Sequence, residues 1–351
     1  MFAPTFGRGI ADGAVGLDGS AFESLLDSVV ADKRIVLLGE SHHFVHETFA
    51  LRMSILDHLA RRGATVFGFE MAFGDAACAD RYLVDGNPAW PNRIGTFGYG
   101  SALTRPAEGV LASTHDSFPA AAFGAEWVRL LDWFRHHPPP GGRWHLAGLD
   151  VDYDPAVARE QLDLDITISA RGYLRDTIAD SDRYDNAVRA AADYYSVRAP
   201  MAWREELMVR RAVHAIEAAP ARGHIVLSGH NLHMTRGADR INIPGGVGPG
   251  GGLTPPLGCA LAKRYPGQTC CIWTLHDHGT DSGPLPHGGA FQSTPRTLNA
   301  ALARTGTAFA LAARAHRALS RSWRIATSNG AVTRGLCDAI IFTAAATSLQ
   351  P

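Results

Sequence analysis

Six short apolar runs limit what this chain can become: residues 34–38, 65–69, 144–149, 224–228, 269–275 and 338–343. Each has the length of a strand and little polar character on either side. Strands of that kind are buried on both faces, which is the pattern of a parallel sheet covered by helices. Helical spacing separates the runs. It is seen at 21–30 (Phe22, Leu25, Leu26, Val29) and at 44–62 (Phe44, Phe49, Leu51, Ile55, Leu56, Leu59). It returns at 123–136 (Trp127, Leu130, Leu131, Phe134) and at 256–264. Arg61, Arg62 and Gly63 close the second of these, with cations on the last carbonyls and then a glycine stop. Residues 156–217 read as mostly helical, rich in Ala and Arg and broken near Pro200, and residues 1–19 as a loose N-terminal arm. The predicted class is α/β, with a central, mainly parallel sheet flanked by helices.

In such sheets the ligand crevice lies outside the carboxyl ends of the strands. Five of the runs end in ionisable residues: Glu40 and His43, Glu70, Asp150, His230 and His233, and His276 and His278. Groups far apart in the chain are therefore expected to meet on one edge. The densest stretch is LLGESHHFVHETFALR, residues 37–52, where Glu40, His42, His43, His46 and Glu47 fall within eight residues and Arg52 follows. Carboxylates and imidazoles gathered at a strand-to-helix junction can move protons.

Each candidate has a plainer alternative. His43 is read as a general base oriented by Glu40, because an imidazole with a pKa of about 6.5 accepts a proton from water near neutrality. A helix cap with a carboxylate on the positive helix end is the alternative. Helical phase turns His42 and His46 elsewhere, toward the surface or a supporting position; His42 is kept as a substrate contact, with His233 and Asp150. Arg52, nine residues past His43 on the same helix, reads by itself as a solvated arginine, and Glu70, which faces the expected edge, could be a helix cap. The spacing of Asp150, Asp152 and Asp154 lacks the glycine and glutamate of an EF-hand, so calcium is discounted. His230 and His233 are compatible with a metal site shared with Glu70 and His43, or with one imidazole donating to an oxyanion or leaving group. Without an HExxH motif no metal is assigned, and no cofactor is expected.

Other signatures are missing from the sequence. No G-x-S-x-G supplies a serine nucleophile, GGVGPGGG (245–252) lacks the Lys-Ser/Thr of a phosphate cradle, and no G-x-G-x-x-G follows the first run. Attack by water activated at His43 is the simplest remaining chemistry. A net charge of −1 argues against nucleic acid as partner. No run of eighteen apolar residues suggests a membrane span, and the first residues do not read as a secretory signal. Five cysteines without a CxxC suit reduced, buried thiols and a cytoplasmic location. The expected partner is a small-molecule or modified-peptide substrate.

The residues resemble one known family. GESHHFVHETFALR is similar to the opening G-E-x-x-H-F…E…L-R motif of the erythromycin esterases. FGFE (67–70), GLDVDYD (148–154), SGHNLHMTR (228–236) and the tail CDAIIFTAAATSLQP (337–351) resemble that family's later segments in order. The resemblance implies a single α/β domain over residues 20–351, whose helical insertion at 156–217 forms a lid over the carboxyl edge of the sheet. It implies metal-independent hydrolysis of a macrolide-like lactone or ester. By position it makes His43 the base, Glu40 its neighbour, Arg52 and Glu70 further catalytic groups, and His230 the distal histidine beside His233. One departure is MAWREE (201–206): the family's asparagine is Arg204 here, so a substrate-side role falls to an arginine. The loops at 86–119 and 237–256 look particular to this chain. Two rival readings stand beside hydrolysis. One is a non-hydrolytic acid/base enzyme (epimerase, lyase or cyclase) of a natural-product pathway. The other is a metal- or haem-binding protein, suggested by sixteen histidines and the His230/His233 pair.

Overall fold

The computed structural model describes residues 13–88, 120–140, 142–150, 198–236, 255–281, 289–295, 297–313 and 335–349. The start of the expected arm, the loops at 89–119 and 237–254, and most of the expected helical insertion lie outside the described residues. The fold is α/β, with a mainly parallel central sheet and flanking helices. The chain divides into two compact units. The first comprises residues 1–52, 227–283 and 287–349; the second comprises 53–226, 284–286 and 350–351.

In the first unit, α1 (Gly19–Val30) buries Phe22, Leu26, Val29 and Val30, as its spacing predicts. Strand β1 (Ile35–Glu40) leads through a short turn into α2 (His46–Ala60), which belongs to this unit as far as Arg52. Strand β4 (Ile225–His230), of this unit from Leu227 on, is followed by a single helical turn, α6 (Asn231–Met234), and later by α7 (Leu257–Arg264). The unit is completed by β5 (Thr269–Asp281), β6 (Gly289–Gln292), α8 (Leu298–Ala303), β7 (Ala308–Ala312) and β8 (Ala339–Ala346). The strand order is β4-β1-β5-β8-β7, with β6 on β5. β1 and β8 both run parallel to β5, while β6 and β7 are antiparallel to β5 and β8. All six residues of β1 and of β4 are buried, which explains the apolar runs on which both strands open.

The second unit holds β2 (Val66–Ala72), α3 (Phe73–Asp85), α4 (Ala120–His136), β3 (His145–Asp150) and α5 (Arg198–Ala218). β2 and β3 pair in parallel from Val66↔His145 to Phe69↔Gly148. An irregularity then brings Ala72 opposite Asp150. Phe67, Phe134 and Trp144 pack as a buried aromatic group at ring separations of 5.2 to 5.3 Å. The chain passes close to itself at Gly223 (φ +97°), where a Cβ would strike the carbonyl of Gly63.

Several boundaries differ from the sequence reading for a common reason. Burial on both faces continues past the apolar run, so strands extend into the ionisable residues. Glu40, Asp150 and His230 are the last residues of their strands rather than the first residues of loops. β5 is the exception: its largely exposed end runs on to Asp281 by pairing with β6 and β8, so His276 and His278 lie within it. β6, β7 and α8 are too short to show a period, and α3 follows β2 with no separating turn signal. Part of the expected arm is paired: Val15 exchanges both backbone hydrogen bonds with Ala310 of β7. Among the described residues no helix is long and apolar enough to cross a membrane. All five cysteines are buried and outside any disulfide.

Candidate active site

The site is built at the ends of β1 and β4. Glu40 is 1% exposed, and its two oxygens have different partners. Oε1 lies 2.8 Å from Nδ1 of His43, three residues along, in the turn before α2. Oε2 accepts from Nη2 of Arg52, which reaches back from α2. The Arg52 side chain is 2% exposed and its guanidinium lies over the Phe49 ring, 4.9 Å from the centroid. Burial lowers the pKa of Arg52, and Glu40 opposes that shift by favouring the charged form. A buried ion pair of this kind persists only where geometry is good, because both partners give up hydration.

A carboxylate only accepts hydrogen bonds, so the proton between Glu40 and His43 sits on Nδ1 of the imidazole. Nε2 then carries the lone pair. The His43 side chain is 24% exposed, while that of Glu40 is 2% exposed. A polar ring with one nitrogen on a buried carboxylate and the other basic has the arrangement of a general base.

His230 has the opposite arrangement. Its Nδ1 accepts from the backbone N–H of Leu232 at 3.3 Å, so that nitrogen carries no proton. Nε2 therefore bears the hydrogen and donates it to the carbonyl of Ser41 at 3.2 Å. The His230 and His43 rings are 5.2 Å apart, centroid to centroid. A proton acceptor and a neutral N–H donor thus stand side by side, each with its tautomer set by its partners.

His42 goes elsewhere. Its ring stacks on Phe291 of β6, with centroids 4.0 Å apart and planes 17° apart, and its Nδ1 lies 3.1 Å from Ser41 Oγ. The His276 ring is 6.1 Å away. Burial first, then His276 and His43, pushes the pKa of His42 down to about 3. His276 is fully buried between Thr343 Oγ1, 2.6 Å from Nδ1, and Thr48 Oγ1, 3.3 Å from Nε2. Its pKa falls to about 4, chiefly by burial and against the pull of Glu47. The side chain of His278 is half exposed, and its Nδ1 lies 3.2 Å from Asp277.

The sequence-predicted set is therefore divided. Glu40, His43, Arg52 and His230 come together within the first unit, and His233 is buried on the turn after His230. Glu70, buried in β2, and Asp150, fully buried at the end of β3, belong to the second unit, as does Arg204 on α5. His46 opens α2, and its backbone N–H donates to Thr347. Glu47 grips the same residue, accepting from both the N–H and the hydroxyl of Thr347 at 2.8 Å. That grip ties the chain after β8 to the turn carrying His43. Sequence reasoning missed Asn231, Thr274 and Phe291, whose partners are all distant in the chain; Asn231 alone sits inside a motif already noticed. Among the described residues no group of three His, Cys, Asp or Glu side chains is gathered to hold a metal.

No protein-family model and no curated protein matches the sequence. Solved structures do match it. A succinoglycan biosynthesis protein superposes with a TM-score of 0.72 at 14% identity, over 99% of this chain and 98% of that one. A protein from Bacillus cereus gives 0.69 at 16% identity, over 98% of both chains. A mutant of the erythromycin esterase EreC in its open conformation gives 0.63 at 15% identity, over 94% of both. At such identities the likeness shows a shared fold: this chain has the fold of the erythromycin esterase-like proteins.

Proposed function

We propose that this chain is a hydrolase that opens an ester or lactone bond of a bulky, macrolide-like natural product with water activated by His43. The observation that carries the reading is the paired tautomers: His43 held on buried Glu40, and His230 presenting Nε2–H one ring away. In this reading Nε2 of His43 takes a proton from water as the water oxygen bonds to the acyl carbon. Glu40 stabilises the imidazolium, and Arg52 keeps Glu40 in place. Charge develops on the carbonyl oxygen, which replaces the Ser41 carbonyl as the acceptor for His230. The acyl–oxygen bond then breaks, and His43 returns its proton to the departing alkoxide. The fold shared with an erythromycin esterase supports the class of reaction.

The same reading makes the reaction metal-independent. Glu40, the most deeply buried acid of the cluster, is already taken by a guanidinium, and a second cation beside it would be repelled. Activity that survives exhaustive dialysis against a chelator is expected. Incubation with a panel of macrolide lactones and bulky esters in oxygen-18 water tests the chemistry itself. The product acid should carry one labelled oxygen, and His43→Ala should abolish its formation. A product formed without label removes hydrolysis. That outcome favours the second reading, an epimerase, lyase or cyclase, for which an adjacent acceptor and donor would serve equally well.

A further inference from the structure

Asn231 follows His230 and is 2% exposed. Its Nδ2 donates to the backbone carbonyl of Thr274 on β5 at 3.1 Å. Thr274 in turn donates from Oγ1 to the carbonyl of Gly39 on β1 at 3.0 Å. Gly39 is the residue before Glu40. A Cβ placed there would overlap Asn231 Oδ1 and come within 3.2 Å of Asn231 Cα. The amide of Asn231, with the Trp273 ring 2.9 Å from the same Cβ position, fills the space that a side chain at position 39 would need. The turn after β4 is thereby joined to β5 and, through Thr274, to β1. The bonds that define His230 lie next to that contact, since Leu232 directly follows Asn231 and Ser41 comes two residues after Gly39.

We infer that Asn231 is a positioning residue: wedged against Gly39 and bonded to Thr274, it holds His230 as the neutral Nε2–H donor beside His43. The inference rests on the proposed role of His230, but the geometry requires the tautomer whatever the substrate. Oδ1 of Asn231 accepts no hydrogen bond among the described residues, so one donated bond and close packing fix the side chain. Replacing it would let the turn after β4 relax. Nδ1 would lose Leu232, and the ring could sample both tautomers and the imidazolium. Gly39→Ala would act from the other side by displacing the amide.

The test uses the full chain with 15N-labelled histidine. Long-range ring correlations report tautomer and titration without any substrate. In the wild type, His230 should show the Nε2–H tautomer alone at pH 8, where a free imidazole with a pKa near 6.5 is neutral and exchanges between both tautomers. In Asn231→Ala, and separately in Gly39→Ala, both tautomers should appear, with His43 still bonded to Glu40. Asn231→Ser is read in the same way should the alanine variant not fold. Because one space is shared, Gly39→Ala should cost less stability in the Asn231→Ala background than alone. On a substrate found by the label experiment, kcat should fall about ten- to a hundred-fold with KM little changed, as misplacement of a reacting group predicts. A wild-type His230 that shows both tautomers, or a fixed tautomer in both variants, overturns the inference and leaves the hydrolase reading standing. Unlabelled product overturns that reading and leaves the tautomer result intact.

Discussion

His42 and His43 are consecutive residues with the same side chain, and the fold uses them in opposite ways. His43 meets a carboxylate that is itself held by an arginine, and part of its ring reaches solvent. His42 meets Phe291, His276 and a serine hydroxyl, with no carboxylate in contact among the described residues. One environment offers a counter-ion to the imidazolium that a general base becomes at mid-reaction; the other, by burial, disfavours the charged ring. The two also belong to different layers of contact. The His43 group is an electrostatic chain, Arg52–Glu40–His43. The His42 group is an apolar stack backed by His276, whose hydroxyl partners Thr48 and Thr343 come from α2 and β8. The contrast shows that residue type sets what an imidazole can do and neighbours decide whether it does it.

The sharpest way to break this division is to remove each ring in turn. His43→Ala should lower turnover about a hundred- to ten-thousand-fold, whereas His42→Gln should change it far less. Equal losses in steady-state rates would end the distinction. Next in size is Arg52→Met, which strands a buried carboxylate and should cost about 3–5 kcal/mol by denaturant titration. Thr48→Val, at the second group, removes one hydrogen bond and should cost about 1 kcal/mol. A reversal of that ranking would mean that the ion pair is not the structural centre of the site.

The third effect is on pH. His42 and His276 have folded-state pKa values pushed down to about 3 and about 4, below the value of about 6.5 expected when unfolded. As pH falls through 6.5 the unfolded chain binds protons first. Their contribution is therefore complete above that value and is lost progressively toward pH 4 and below. Urea midpoints should drop between pH 7 and pH 5, and His276→Gln should flatten the slope. The smallest effect concerns Phe291. Phe291→Ala opens the stack and should raise the His42 pKa toward the free value in an NMR titration. A resonance that does not move would show that the stack does not keep His42 uncharged.

Much of the fold was legible because burial leaves its mark locally. β1 and β4 open on apolar runs, and the amphipathic face of α1 can be read directly from Phe22, Leu26 and Val29. β6 and β7 were not legible, since four or five residues carry too little pattern and their pairing partners, β5 and β8, lie elsewhere in the chain. At the site, Glu40, His43, Arg52 and His230 stood out as ionisable groups at strand ends or on the following helix. Phe291 and Thr343 gave no signal, because an aromatic or a threonine in a strand is ordinary.

The sequence alone determined that this chain forms an α/β sheet and that acids and imidazoles collect where its strands end. Both follow from local composition: apolar runs must be buried, and the chain leaves a parallel sheet at its strand termini. Only tertiary structure decided which imidazole meets the carboxylate, which nitrogen holds the proton, and why position 39 must be glycine. Those outcomes depend on contacts such as His230 with Ser41, 189 residues apart, and Thr274 with Gly39, 235 apart. Hydrogen-bond geometry at that range is fixed by how strands register, and no stretch of neighbouring residues encodes it.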